Sequence, residues 1–153
     1  MSDAAKKRFL AVDYGERRTG LAATDWTGSI CVPLPRIDES EPDALAAAIA
    51  ELVRERDTQV VVLGMPLLHD GSAGQRATRT QQFRARLEAA VAPIPVATID
   101  ESHSTDEAHE RLKELGMKAA RRKDFADSIA ALVILERYRA QLRTPPRPAR
   151  GDE

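Results

Sequence analysis

Val60-Val61-Val62-Leu63 is an unbroken β-branched and apolar run, with no polar position on either side of the pleat. Successive strand residues point to opposite faces, so a half-exposed strand alternates and this one does not. A sheet containing it must be covered on both sides, which calls for helices above and below. The neighbouring segments can supply them. Ser40 followed by Asp43 has the form of a capping box, and Leu45, Ala48, Ile49, Leu52 and Val53 then recur at helical spacing. A second helix is expected over 72–90, with Ala73, Ala77, Phe83, Leu87 and Val91 on one stripe. A fifth strand is expected over 94–99, tolerating Pro95 near its start.

The first third of the chain has another rhythm. Strands are expected over 8–13, Thr19–Thr24 and Cys31–Ile37, joined by turns at Tyr14-Gly15-Glu16 and Thr27-Gly28-Ser29. Connections this short favour antiparallel hairpins, and Pro33 and Pro35 make the third run an edge strand. After the fifth strand, Ser104 with Glu107 caps a helix carrying Ala108, Leu112 and Leu115, stopped by Gly116. A last helix carries Phe125, Ile129, Leu132, Val133 and Leu135 to about Leu142. The expected fold is therefore α/β: three antiparallel strands, then β-α-β-α-α, in a mixed sheet with helices on both faces. Residues 1–142 form one domain, and the Pro-rich tail 143–153 is expected to be disordered.

Composition excludes several classes. No apolar stretch is long enough to span a bilayer and Met1-Ser2-Asp3 does not open a signal peptide, so a cytoplasmic protein is expected. The single Cys31 has no internal disulfide partner, fits a reducing compartment and is expected to be buried in its strand. With 23 basic and 24 acidic residues the net charge is −1, so a polyanion must be held by local clusters such as Arg17-Arg18 and 118–123.

Three places carry acids that could do chemistry. Asp13 ends the first strand just before Gly15, where it either caps a turn or brings a carboxylate to the sheet rim. Asp100-Glu101 follow the fifth apolar run. The pleat keeps them off a common face, Glu101 sharing that of Ile99 if the strand continues, but both also suit the acidic start of a helix. Asp124 and Asp127 stand three apart at the start of the last helix, and small residues beside Asp127 allow close approach to a sheet. Both acids could instead balance Arg121, Arg122 and Lys123. Together, carboxylates from separate elements suit Mg²⁺ or Mn²⁺, which take oxygen ligands. Scattered His69, His103 and His109 have no zinc spacing; His103 lies near enough to Glu101 to assist proton transfer, but a solvated loop histidine is the simpler reading.

Asp13-Tyr14-Gly15-Glu16-Arg17-Arg18-Thr19-Gly20-Leu21-Ala22 resembles the opening motif of the YqgF/RuvX family of RNase H-like nucleases. Gly64-Met65-Pro66-Leu67 with Asp70-Gly71-Ser72 and Phe83 resembles the second motif, Asp100-Glu101 with Ser104-Thr105 the third, and Asp127 with Ala130-Ala131 and Ile134-Leu135 the last. The resemblance implies an RNase H-like, five-stranded mixed sheet of order 3-2-1-4-5. It implies a metal-dependent hydrolase acting on phosphodiester bonds, processing the 5′ end of precursor 16S rRNA in ribosome biogenesis. Asp13, Glu101 and Asp127 would be its catalytic and metal-binding carboxylates. Arg17 and Arg18 would contact phosphate, and Gly64, Pro66, Gly71 and Ser72 would line the substrate groove. Structured RNA is the implied partner, with branched DNA as the alternative through a Holliday junction resolvase-like activity, and the protein acts as monomer or homodimer. Ser102 stands where the family's third motif usually has Arg, removing one phosphate-gripping guanidinium.

Two other classes remain in view. The strand–Asp–x–Gly turn also resembles the first phosphate motif of actin-like and sugar-kinase ATPases, but those clasp nucleotide between two such domains and a Gly-rich adenosine motif is missing here. A nucleic-acid-binding module with structural acids is the other, weakened by near-zero net charge and few aromatics.

Overall fold

In the computed structural model the described residues are 7–66, 71–101, 114 and 119–143. Five strands, β1 (Phe9–Asp13), β2 (Thr19–Thr24), β3 (Cys31–Ile37), β4 (Val60–Pro66) and β5 (Val96–Glu101), form one sheet of order β3-β2-β1-β4-β5. β1 pairs antiparallel with β2, and β2 with β3, while β1–β4 and β4–β5 are parallel. Three helices accompany it: α1 (Pro42–Glu55), α2 (Gly71–Val91) and α3 (Ala119–Arg143).

The pleat divides the apolar residues into two cores. Leu10, Val12, Leu21, Val61 and Leu63 face α1 and α2, where they meet Leu45, Ile49, Phe83 and Leu87. Phe9, Ala11, Ala22, Val62 and Ile99 face α3 and its Ile129, Ala131, Ile134 and Leu135. The continuous run at 61–63 is fully buried because it serves both cores in turn. Burying each Val side chain on such a strand contributes about 1.5–3 kcal/mol.

Several boundaries differ from expectation. α1 is capped by Glu41, whose carboxylate accepts from the Ala44 N–H at 2.6 Å, with Pro42 at the helix start. Ser40 stands one residue too early for that role, because Pro42 has no N–H to be capped and suits the first helical position. β5 begins at Val96, beyond Pro95, and runs two residues past Ile99: Asp100 pairs with Met65 and Glu101 with Pro66. α3 starts earlier than expected, at Ala119. Cys31 is half-buried on the edge strand, and Arg139 Nη1 lies 2.8 Å from its Sγ. Burial outweighs that contact and pushes the thiol up from its ordinary value. Arg139 itself is buried and donates to the Ser29 and Gly28 carbonyls, tying α3 to the β2–β3 turn. The helix expected after Ser104, the tail from 144 onward, and His69, Ser102, His103 and His109 lie outside the described residues.

Candidate active site at the sheet rim

Asp13 closes β1 at the carboxyl-terminal rim, opposite Gly20 of β2. It has the parity of Phe9 and Ala11, the α3 side of the sheet. Its side chain is only 16% exposed, and the guanidinium of Arg76 on α2 stands 3.9 Å from its Oδ1. The turn that follows is tight. A Cβ on Gly15 would lie 2.2 Å from the Arg18 carbonyl oxygen, so only glycine fits there. Thr19, fully buried, accepts from the Gly15 N–H and donates to the Gly15 carbonyl, both at 3.4 Å. The folded-back turn leaves Arg17 and Arg18 exposed beside the rim.

On the α2 side, Tyr14 stacks on buried Phe83, with ring centroids 4.4 Å apart and planes within 9°. One helical turn beyond Arg76, Arg79 pairs with Glu16, and farther along Arg86 donates to Asp43 Oδ1 at 2.6 Å. That bond raises the Arg86 pKa above its ordinary value. Sequence reading overlooked these arginines. The i, i+3 spacing of Arg76 and Arg79 on a helix was their signal, but it also describes an ordinary solvated face.

The remaining acids are located through the backbone. Asp100 has the parity of Val96 and Thr98 and lines a cavity on the α2 side with Met65, Ala77 and Gln81. Glu101 is two residues beyond Ile99, on the strand parity that faces α3. Asp127 lies in α3 immediately before Ser128. The buried Ser128 hydroxyl donates to the Leu34 carbonyl at 2.5 Å and accepts from the Leu21 N–H at 3.5 Å. It enters where the β2–β3 register shifts between Thr19 and Leu21. This bolts α3 to the strand beside Asp13, since Leu21 follows the Gly20 that opposes it. Gly64 lies inside β4, Pro66 ends it opposite Glu101, and Gly71 and Ser72 begin α2. Among the described side chains no three His, Cys, Asp or Glu come together, a set that includes Asp13 but not the side chains of Glu101, Asp124 or Asp127.

Comparison with known proteins adds three findings. The sequence profile of RuvX, described as Holliday junction resolvase, matches residues 7–141. A Chloroflexus aggregans protein, provisionally named pre-16S rRNA nuclease, is 39% identical over 140 residues, spanning 92% of this chain and 98% of its own. One of the same name from Syntrophus aciditrophicus is 37% identical over 131 residues, spanning 86% and 87%. Among solved structures, Thermus thermophilus RuvC superposes with a TM-score of 0.62 at 16% identity, covering 90% of this chain and 97% of its own. The fowlpox virus resolvase, solved with its substrate Holliday junction DNA, gives 0.51 at 14% identity, covering 90% and 99%. At those identities the superpositions speak for the fold, which is the RNase H-like fold of the resolvases.

Proposed function

The chain belongs to the RuvX family, and from that premise we propose that it is a divalent-metal-dependent nuclease hydrolysing phosphodiester bonds of precursor 16S rRNA. The observation that carries this reading is the Asp13 carboxylate, mostly buried where β1 ends at the sheet rim. A carboxylate so placed has little water of its own and favours a cation beside it. The donors on offer, Asp13 with Glu101 and Asp127, are hard oxygens with no thiol or imidazole among them, which suits Mg²⁺ or Mn²⁺. Asp13, Glu101 and Asp127 would hold such an ion, whose chemistry there would be to activate water and polarise the phosphate.

The protein's own residues do the rest. Arg17 and Arg18, exposed on the Gly15 turn, grip phosphate oxygens and set the strand's register on the rim. Arg76 is exposed enough to leave Asp13 for a phosphate, neutralising charge where the bond to phosphorus breaks. Ser128 keeps α3, and with it position 127, fixed against β2. Gly64 and Pro66 of β4 and Gly71 and Ser72 at the start of α2 would line the substrate groove, and no helix among the described residues is long and apolar enough to cross a membrane.

The test is cleavage of end-labelled precursor rRNA leader by the purified protein with Mg²⁺ or Mn²⁺, beside Asp13→Asn. Metal-dependent cutting lost in the variant is expected, and cutting by Asp13→Asn at the wild-type rate would dismantle the site. A four-way DNA junction offered in parallel examines the second reading, favoured by the family's description and its resolvase fold. Cutting of the junction alone would replace the RNA substrate.

A further inference from the structure

Beside the rim, on the α2 side, lies a cavity of about 490 Å³ lined by Tyr14, Glu16, Arg17, Arg79, Phe83 and Arg86. Its volume falls within the range of small-ligand sites, about 300–1,000 Å³. Two properties meet in it. Tyr14 is half-buried with one ring face fixed against Phe83, itself part of the core, so the pair forms a rigid aromatic platform. Around it stand three guanidinium groups against one lining carboxylate. Among the described residues Arg79 and Arg86 are held by exposed pairs with Glu16 and Asp43, of the kind that solvent and salt loosen. Arg17 makes no ion pair among the described residues.

An inorganic anion would use the arginines and leave the rings idle, while an apolar ligand would do the reverse. A nucleotide uses both, its base on an aromatic face and its phosphate on bidentate arginines. The location is specific too. Arg79 stands one helical turn from Arg76, an axial rise of about 4.5 Å, and Arg76 lies 3.9 Å from Asp13. We propose that this cavity binds one unpaired nucleotide of the RNA next to the bond being cut, its base stacked on Tyr14 and its phosphate held by Arg17 and Arg79. The assignment rests on the nuclease reading for its substrate class. It adds a selectivity that the carboxylates alone lack, because a base inside a duplex has no free face to offer the ring.

The experiment measures binding without cleavage, using Asp13→Asn protein in EDTA. Single-stranded RNA containing 2-aminopurine is compared with the same strand in a duplex, by anisotropy and by 2-aminopurine emission. Adding Tyr14→Leu should weaken single-strand binding about 5- to 150-fold, the range for losing one stacked base, and leave duplex binding within about twofold. It should also abolish the emission quench, while Tyr14→Phe keeps it. Arg79→Ala, at an exposed position that cannot unfold the core, should weaken single-strand binding and flatten its salt dependence. Equal losses on single strand and duplex with Tyr14→Leu, or unchanged affinity with Arg79→Ala, would overturn the assignment. Failure of the wild-type protein to cut any RNA would refute the nuclease reading, and a Tyr14-dependent quench would still uphold the cavity.

Discussion

Ser128→Ala removes one oxygen from the junction between α3 and the β2–β3 pair, and its cost can be worked from the geometry. The hydroxyl is buried and gives its proton to the Leu34 carbonyl at 2.5 Å, a short and strong contact. The Leu21 N–H approaches it at 3.5 Å, the outer limit of a hydrogen bond, and contributes little. Truncation leaves the part-buried Leu34 carbonyl short of its donor, which costs about 1–3 kcal/mol. For a chain of this size that lowers the melting temperature by roughly 2–12 °C. Urea unfolding should show a reduced midpoint with an unchanged slope, since the surface exposed on unfolding stays the same. RNA cleavage, measured where the variant is still fully folded, should fall as well, because α3 loses its tie to the strand beside Asp13. A stability change below about 0.5 kcal/mol, with wild-type cleavage, would refute the idea that this hydroxyl sets the helix on the rim.

Gly15→Ala forces a Cβ onto the Arg18 carbonyl and should destabilise by about 1–3 kcal/mol, read by thermal unfolding; a neutral result would show that the turn has room to give. Arg17→Ala should reduce the salt slope of single-stranded RNA binding by about 0.7, and an unchanged slope would remove Arg17 from the phosphate contacts. Asp25, at the β2–β3 turn, accepts from the Thr27 hydroxyl and from the Ser29 and Ile30 N–H groups. Its pKa is lowered, first by the Thr27 hydrogen bond and then by the backbone bond from Ile30. A carboxyl depressed in the folded state contributes stability that is present above its unfolded value, about 3.9, and is lost as pH falls through the folded value. Asp25→Asn should therefore flatten the acid limb of the stability profile below about pH 4 and leave its slope near neutrality unchanged; an identical acid limb would contradict this.

The sheet was legible because its signals were redundant. The apolar run at 60–63, the hairpin turns around Gly15 and Gly28, and the two prolines of the edge strand point to a mixed sheet covered on both faces, while its order came from the family resemblance. Boundaries were less legible where two local rules competed. Asp100 and Glu101 suit the first turn of a helix as well as the end of a strand, and only pairing with Met65 and Pro66 decides for the strand. Ser128 signalled only a close approach of the last helix to the sheet, not its hydrogen bonds. A serine close to Ala126, Ala130 and Ala131 reads as a small packing residue, and its hydrogen-bonding role depends on the register shift in a distant hairpin that its hydroxyl meets.

That extra length of β5 bears on the choice between the two adjacent acids. Ile99 packs in the α3-side core while Val96 packs toward α1 and α2, so parity is established before the acids are reached. Continuing the pairing to Pro66 puts position 100 with the α2-side cavity and position 101 with the side that Asp13 shares. Had the strand ended at Ile99, as its composition suggested, a turn could have brought either acid to the rim. Asp100→Asn and Glu101→Gln should accordingly differ. The first keeps metal-dependent cleavage within about twofold, and the second loses most of it, a two- to four-decade fall of the size expected when a group that stabilises the transition state is removed. Equal losses would mean that the rim admits both carboxylates, and a larger loss at Asp100 would reverse the parity argument and move the reacting phosphate to the α2 face.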